Sequence, residues 1–304
     1  MMPRLFFILL AFLPCGLLAQ QDADTDFEPP ISQPAYAKGQ GPVVFIDEGH
    51  FNFHTKEGRY KAFSNLLERD GYQVQAYQGV FKPKKLAKGK ILVISNALNE
   101  KNVEHWFLPN FSAFSQKEIE VLKNWVAEGG SLFLIADHMP MAGAAEDLAS
   151  AFGFEFTNGF VLDTLKRGPA IFNLEEKTLV ESLITNGRNA DERVKQVATF
   201  TGQAFKIPEE AKPILIFDEP YINLLPDTAW VFEPQTPRHS AKDWIQGAYR
   251  SFGKGKVVAF GEAAMFTAQL AGPQKVKMGM NNPAAPENYQ LLLNIIHWLD
   301  GLLE

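Results

Sequence analysis

Four short stretches carry most of the residues that could do chemistry. FIDEGHFNFHT (45–55) places Asp47, Glu48, His50, Asn52 and His54 directly behind an apolar run. The others are Ser95-Asn96 behind KILVI, Asp137-His138 behind SLFLIA, and Gly261-Glu262 behind GKVVAF. Carboxylates and imidazoles are the groups that move protons near neutral pH and that hold divalent cations. If the apolar runs are parallel strands, all four polar ends share one rim, outside the carboxyl ends of the sheet, where open α/β folds form ligand sites. That shared position says more than any one stretch, because strands commonly end in polar loops.

Two chemistries could use such a rim. Metal-assisted hydrolysis needs His and Asp or Glu ligands on a divalent ion that acidifies a bound water, with a spare carboxylate as base. His50, His54 and His138 are the candidate ligands. The spacing HFNFH reads as a loop and lacks the glutamate of HExxH, so it does not itself specify a metal. The metal-free route uses a carboxylate–histidine pair, such as Asp137 or Glu262 with His50 or His138, to orient an imidazole for proton transfer. Asp47 and Glu48 complete the catalytic candidates. Binding without turnover needs the same kinds of group, and Asn52, His54, Asn96, Asn281 and Asn282 are candidates for it. The two last lie in MGMNNPAAPEN (278–288), a long loop placed to close over the rim. No GxSxG elbow is present.

The elements that must position these residues follow from pattern. PVVFID (42–47), KILVISNAL (90–98), SLFLIADHMP (131–140) and GKVVAFGEAAMF (255–266) read as strands buried on both faces, and YQVQAY (72–77) as an edge strand. RYKAFSNLLERDG carries Tyr60, Phe63, Leu66 and Leu67 at helical spacing. SQKEIEVLKNWVAEGG opens with Ser115 and Glu118 in capping-box spacing and closes on two glycines. AGAAEDLASAFG (142–153) and NYQLLLNIIHWLDGLL (288–303) read as helices, and His297 on the latter as a structural histidine. The alternation predicts a parallel sheet with helices on both faces. Residues 154–253 predict a β-rich insertion or extension with strands at 194–202, 212–218 and 228–233. WIQGAYRSFGKGK (244–256) reads as a β-turn connection.

The N-terminus, MMPRLFFILLAFLPCGLLAQQ, has one arginine, an apolar stretch too short to span a bilayer comfortably, and small Ala19 before Gln20. It predicts a signal peptide over 1–19, export to the periplasm or outside the cell, and no transmembrane anchor after cleavage. Residues 20–40 read as a linker or N-terminal arm, and 41–304 as a single domain. Cleavage removes Cys15, the chain's one cysteine, and leaves no thiol nucleophile. The formal charge of −6 without a Lys/Arg-rich tract argues against nucleic acid as a partner.

The array FIDEGHFN, SQKEIEVLKNWVAEGGSLFLIADHMPMAGAAEDLASAFGFEFTNG, VATFTGQAF, QGAYRSFGKGKVVAFGEAAMFTAQ and NIIHWL resembles exported bacterial proteins with a class I glutamine amidotransferase-like domain. It is similar in outline to domains of gliding-motility and intraflagellar-transport proteins, and more distantly to trehalose-utilisation-type proteins. The resemblance implies a flavodoxin-like three-layer α/β fold. It implies no activity, because the position of the family's cysteine elbow, after SLFLIAD, holds His138 and Met139.

The sequence therefore predicts a polar ligand or hydrolytic site at the strand ends, with a small polar compound or glycan fragment as ligand. The alternative is a non-catalytic binding or interaction module that meets a protein of the cell envelope.

Overall fold

The computed structural model describes residues 21–303, so the signal peptide read over 1–19 lies outside the described residues. The described residues start with β1 (Gln21–Ala23) and enter the main sheet at β2 (Val43–Asp47). Next come α1 (Lys61–Arg69), β3 (Gln73–Tyr77), the short α2 (Pro83–Leu86) and β4 (Ile91–Ser95). They are followed by α3 (Gln116–Ala127), β5 (Ser131–Ile135) and α4 (Met141–Ala151). A β-rich stretch then holds β6 (Glu155–Phe156), β7 (Phe160–Asp163), β8 (Ala170–Asn173), one helical turn α5 (Leu183–Asn186) and β9 (Gln196–Thr199). It continues with β10 (Phe205–Lys206), β11 (Lys212–Ile216), β12 (Tyr221–Leu224), β13 (Arg238–Ser240) and β14 (Ile245–Phe252). The chain closes with β15 (Gly255–Phe260), β16 (Ala268–Ala271), β17 (Val276–Gly279) and α6 (Asn288–Asp300).

Five strands run parallel in the order β3-β2-β4-β5-β15. Every residue of β4 and β5 is buried, and alternate side chains feed two cores. Ile91 and Val93 join the core under α1 and α6, while Leu92 and Ile94 join the one under α3 and α4. The apolar stripes read from sequence thus cover both faces of the sheet. Ser115 and Glu118 form the expected capping box at the start of α3.

The expectation of a parallel sheet is corrected to a mixed one. Beyond β15 the sheet continues through β14, β10 and β6, all antiparallel, with β11 also on β14. The cause is the connection between β14 and β15, since a turn of two residues can only return the chain antiparallel. Also in 154–253 are a second sheet, β13-β12-β7, and the ribbon β8-β9. Residues 228–233, read as a strand, form a turn held by one bridge from Phe107 to Thr228. Trp230 takes a φ of 66°, outside the range a strand allows.

From Gln21 onward, the segment read as a linker or arm is laid against the body. β1 pairs with β16, and Phe27, Ile31 and Tyr36 pack on the larger core. His297, fully buried on α6, gives Nε2 to Asp70 Oδ2 at 2.7 Å, the structural role expected of it.

Candidate functional site

A cleft of ≈ 230 Å³ opens at the carboxyl ends of the parallel strands. Asn96 reaches it from the end of β4, Asp137 and His138 from β5, Glu262 from β15, and His54 from the loop after β2. The geometry therefore brings together five of the residues picked out by sequence.

Asn96 holds a φ of 47°, a left-handed conformation that asparagine tolerates better than most residues. Its Oδ1 accepts the backbone N–H of Asp137 at 2.8 Å, tying β4's end to β5's end. Asp137 Oδ1 in turn accepts the N–H of His138 at 2.9 Å. The His138 ring faces the Met139 carbonyl with Nδ1 at 2.7 Å. A carbonyl can only accept, so Nδ1 carries the hydrogen, which leaves Nε2 as the acceptor in the neutral form of the ring. Phe160 stacks on this ring at 4.3 Å, and Trp230 meets it edge-on at 4.6 Å.

Glu262 forms the floor and is buried. Its Oε1 accepts the N–H of Ala264 at 3.0 Å and its Oε2 that of Met265 at 2.8 Å. Burial, then the charge of Asp137, push its carboxyl well above the usual range despite those donors. Gly202, at φ 94°, lets the chain pass here: a Cβ would come within 2.1 Å of the Gly261 carbonyl oxygen. His54 packs on Tyr60 at 4.7 Å, and burial, then Arg59, push it down to about 3, so it stays neutral. Two polar atoms in the wall, His54 Nδ1 and Gln269 Oε1, are buried without a partner.

The lining contains no lysine or arginine, and its acidic residues are Asp137 and Glu262, the latter pushed by burial toward its protonated form. Its walls are aromatic, with Phe53, Trp106, Phe200 and Trp230. A surface of acceptors between aromatic faces suits a ligand that offers hydrogen-bond donors and an apolar ring face, and it disfavours an anionic group.

Asp47, Glu48, His50 and Asn52 do not reach this cleft. His50 is buried, with Nδ1 2.8 Å from Asp47 Oδ2 and Nε2 3.0 Å from Glu118 Oε1. Burial alone would lower its pKa, but the hydrogen bonds and charges of Asp47 and Glu118 raise it. Glu118 is also the capping-box residue of α3 and accepts the N–H of Phe81, so the cluster pins the end of β2 to the start of α3. Asn52 braces it, accepting from the His50 N–H and donating to Asp47. Glu48 accepts from the Lys56 N–H and the Gln78 amide. Asn281 donates to Asp24 and to the Gln269 carbonyl, behind the cleft wall, and Asn282 holds its own turn.

Among the described residues no group of three or more His, Cys, Asp or Glu is disposed to hold a metal ion. The set His50, His54 and His138 is not assembled, because both ring nitrogens of His50 are spent on Asp47 and Glu118. No described helix is long and apolar enough to cross a membrane.

Sequence reasoning missed Glu118 as the partner of His50, and it missed Trp106, Trp230 and Gln269. The capping box did single out Glu118, but its second role depends on α3 docking beside β2. The tryptophans sit in loops joined only in space, where Ala229 donates to the Trp106 carbonyl.

No family model matches the chain, and no curated protein matches it. Among solved structures, the mmIFT52 N-terminal domain is similar over 85% of this chain and 97% of its own, at 13% identity and a TM-score of 0.57. A cytoplasmic protein of Salmonella typhimurium is similar over 85% of this chain and 98% of its own, at 14% identity and a TM-score of 0.50. A ThuA-like protein from Bacteroides uniformis covers 87% of this chain and 93% of its own, at 10% identity and a TM-score of 0.45, too low to carry an argument. At these identities the likeness is one of α/β fold alone.

Proposed function

We propose that this is an exported protein with a glutamine amidotransferase-like, flavodoxin-like core, and that its cleft binds a small polar ligand, with a glycan fragment as the best fit. The observation that carries this reading is the lining itself: acceptors on Asn96, Asp137, His138 and Gln269, four aromatic side chains and no cation. Sugar hydroxyls donate to such acceptors, and the apolar face of a sugar ring stacks on indole. The order β3-β2-β4-β5-β15, second strand first and then first, third, fourth and fifth, supports the flavodoxin-like assignment of the parallel half.

Hydrolysis is the reaction to test first. A carboxyl pushed by burial toward its protonated form, next to a second carboxyl group, is the kind of pairing that acid–base chemistry uses. Both Glu262 oxygens already accept backbone N–H groups, which fits tuning the charge of the floor better than direct proton donation. Thiol-based amide transfer has no nucleophile here, since the one cysteine is Cys15.

A second reading, an interaction module of the cell envelope, draws support from exposed Phe107, Leu108, Val231 and Phe232 in the two loops that carry Trp106 and Trp230. A glycan array and calorimetry on residues 20–304, with a panel of glycosides, esters and amides as substrates, separate the two. The binding reading expects a glycan ligand that Asp137→Ala and Trp230→Ala both lose. Retention of every ligand by both variants would sink it. An envelope protein crosslinked through the Phe107 and Val231 loops would favour the second reading.

A further inference from the structure

A second cleft of ≈ 570 Å³ adjoins the first, and Phe200, Thr201 and Met278 line both. Its character is the reverse. Lys166, Arg167 and Lys277 line it, all exposed, with Asp163 as the acid among them. The Asp163 carboxylate is engaged by its own turn, accepting the N–H of Leu165 at 2.7 Å and of Lys166 at 3.0 Å. The three cations form no ion pair among the described residues. Asp218 and Glu176 add negative charge around Tyr221 but do not line the cleft. Tyr221 and Phe217 give the second cleft an aromatic floor.

We infer that the two clefts form one extended site, in which the first takes a hydroxyl-bearing ring and the second takes an anionic substituent further along the same chain. The ligand class is an acidic oligosaccharide, carrying carboxylate or sulfate. The inference rests on the glycan reading above and goes further, because it assigns both the charge of the ligand and its direction. Asp137 repels an anion from the first cleft, while Lys166, Arg167 and Lys277 attract it into the second, so only one orientation satisfies both. Together the clefts fall within the size range of sites that enclose a small ligand.

The test is calorimetry at about 50 mM salt, where exposed charges are weakly screened. The probes are a neutral hexaglucan, the same hexamer with a single uronic acid at one end, and the same hexamer with a single sulfate at that end. The acidic hexamers are expected to bind roughly ten-fold tighter than the neutral one, and a combined Lys166→Ala, Arg167→Ala, Lys277→Ala variant to bind all three hexamers alike. Which acidic hexamer gains more separates carboxylate from sulfate. Equal binding of neutral and acidic hexamers, or an advantage that survives in the triple variant, overturns the inference. In that case loss of binding in Trp230→Ala would still uphold the first cleft as a glycan site. If no hexamer binds, or Trp230→Ala changes nothing, the inference falls together with the reading beneath it.

Discussion

The Asp47–His50–Glu118 cluster and the Asp137–His138–Glu262 rim are two acid–histidine groups at carboxyl ends of strands in the same sheet. In the first, both ring nitrogens go to carboxylates, and Phe81 and Phe114 pack on the ring at 4.5 and 4.8 Å. In the second, one nitrogen is fixed by a backbone carbonyl, and the other faces a cleft walled by tryptophan. An imidazole whose two N–H groups are consumed inside the protein holds elements together. One with a free lone pair and a fixed tautomer can meet a ligand.

Substitution should separate the two most sharply through stability. His50→Ala leaves Asp47 and Glu118 buried without their shared cation, and removing one member of a buried charged cluster costs about 3–5 kcal/mol. Urea unfolding should show that loss. A change under about 1 kcal/mol would mean the cluster does not brace β2 against α3. His138→Ala removes one buried ring and no ion pair, so its stability loss should be about 1–2 kcal/mol, while glycan affinity falls at least roughly ten-fold.

The pH dependence sharpens the same contrast. The His50 pKa is raised in the folded state, so its contribution is full below the unfolded value and is lost as pH rises through the folded one. Glu118 is lowered: burial opposes this, but the bonds from His50 and Ser115 prevail, so its contribution is lost as pH falls through its folded value. The stability gap between wild type and His50→Gln should therefore be widest in the window between those two folded pKa values and narrow on either side. A gap constant from pH 4 to 9, on the order of the range where these groups titrate, would contradict the assignment.

Smaller effects are expected at the cleft. Trp230 is 53% exposed and sits at a φ that favours glycine. Trp230→Gly should relieve backbone strain while losing ring contacts with His138 and Phe160, a net change within about 1 kcal/mol, yet glycan binding should vanish. Asp137→Asn removes the charge that helps raise Glu262, so wild type should lose more stability than the variant as pH rises above the ordinary glutamate range. Comparing unfolding midpoints at acid and alkaline pH checks this.

Much of the frame was legible in the sequence because it depends on local rules. β4 and β5 announce themselves as unbroken apolar runs, α3 by its capping box, and the rim by where those runs turn polar. The role of His50 was not legible, since Glu118 is 68 positions away and its pairing depends on how α3 docks. Trp106 and Trp230 share a wall only because two loops bridge in space. The parallel expectation fails at the two-residue turn through Gly253 and Lys254, which reverses the chain between Phe252 and Gly255 and sets β14 antiparallel to β15.

The most direct test of the central claim is a nitrogen–proton NMR spectrum of the histidine rings, recorded as the hexaglucan with a single terminal uronic acid is added. His138 Nε2 is expected to shift with ligand while the two His50 ring N–H signals stay in place, protected and unchanged. A spectrum in which His50 responds and His138 does not would place the site at the wrong histidine.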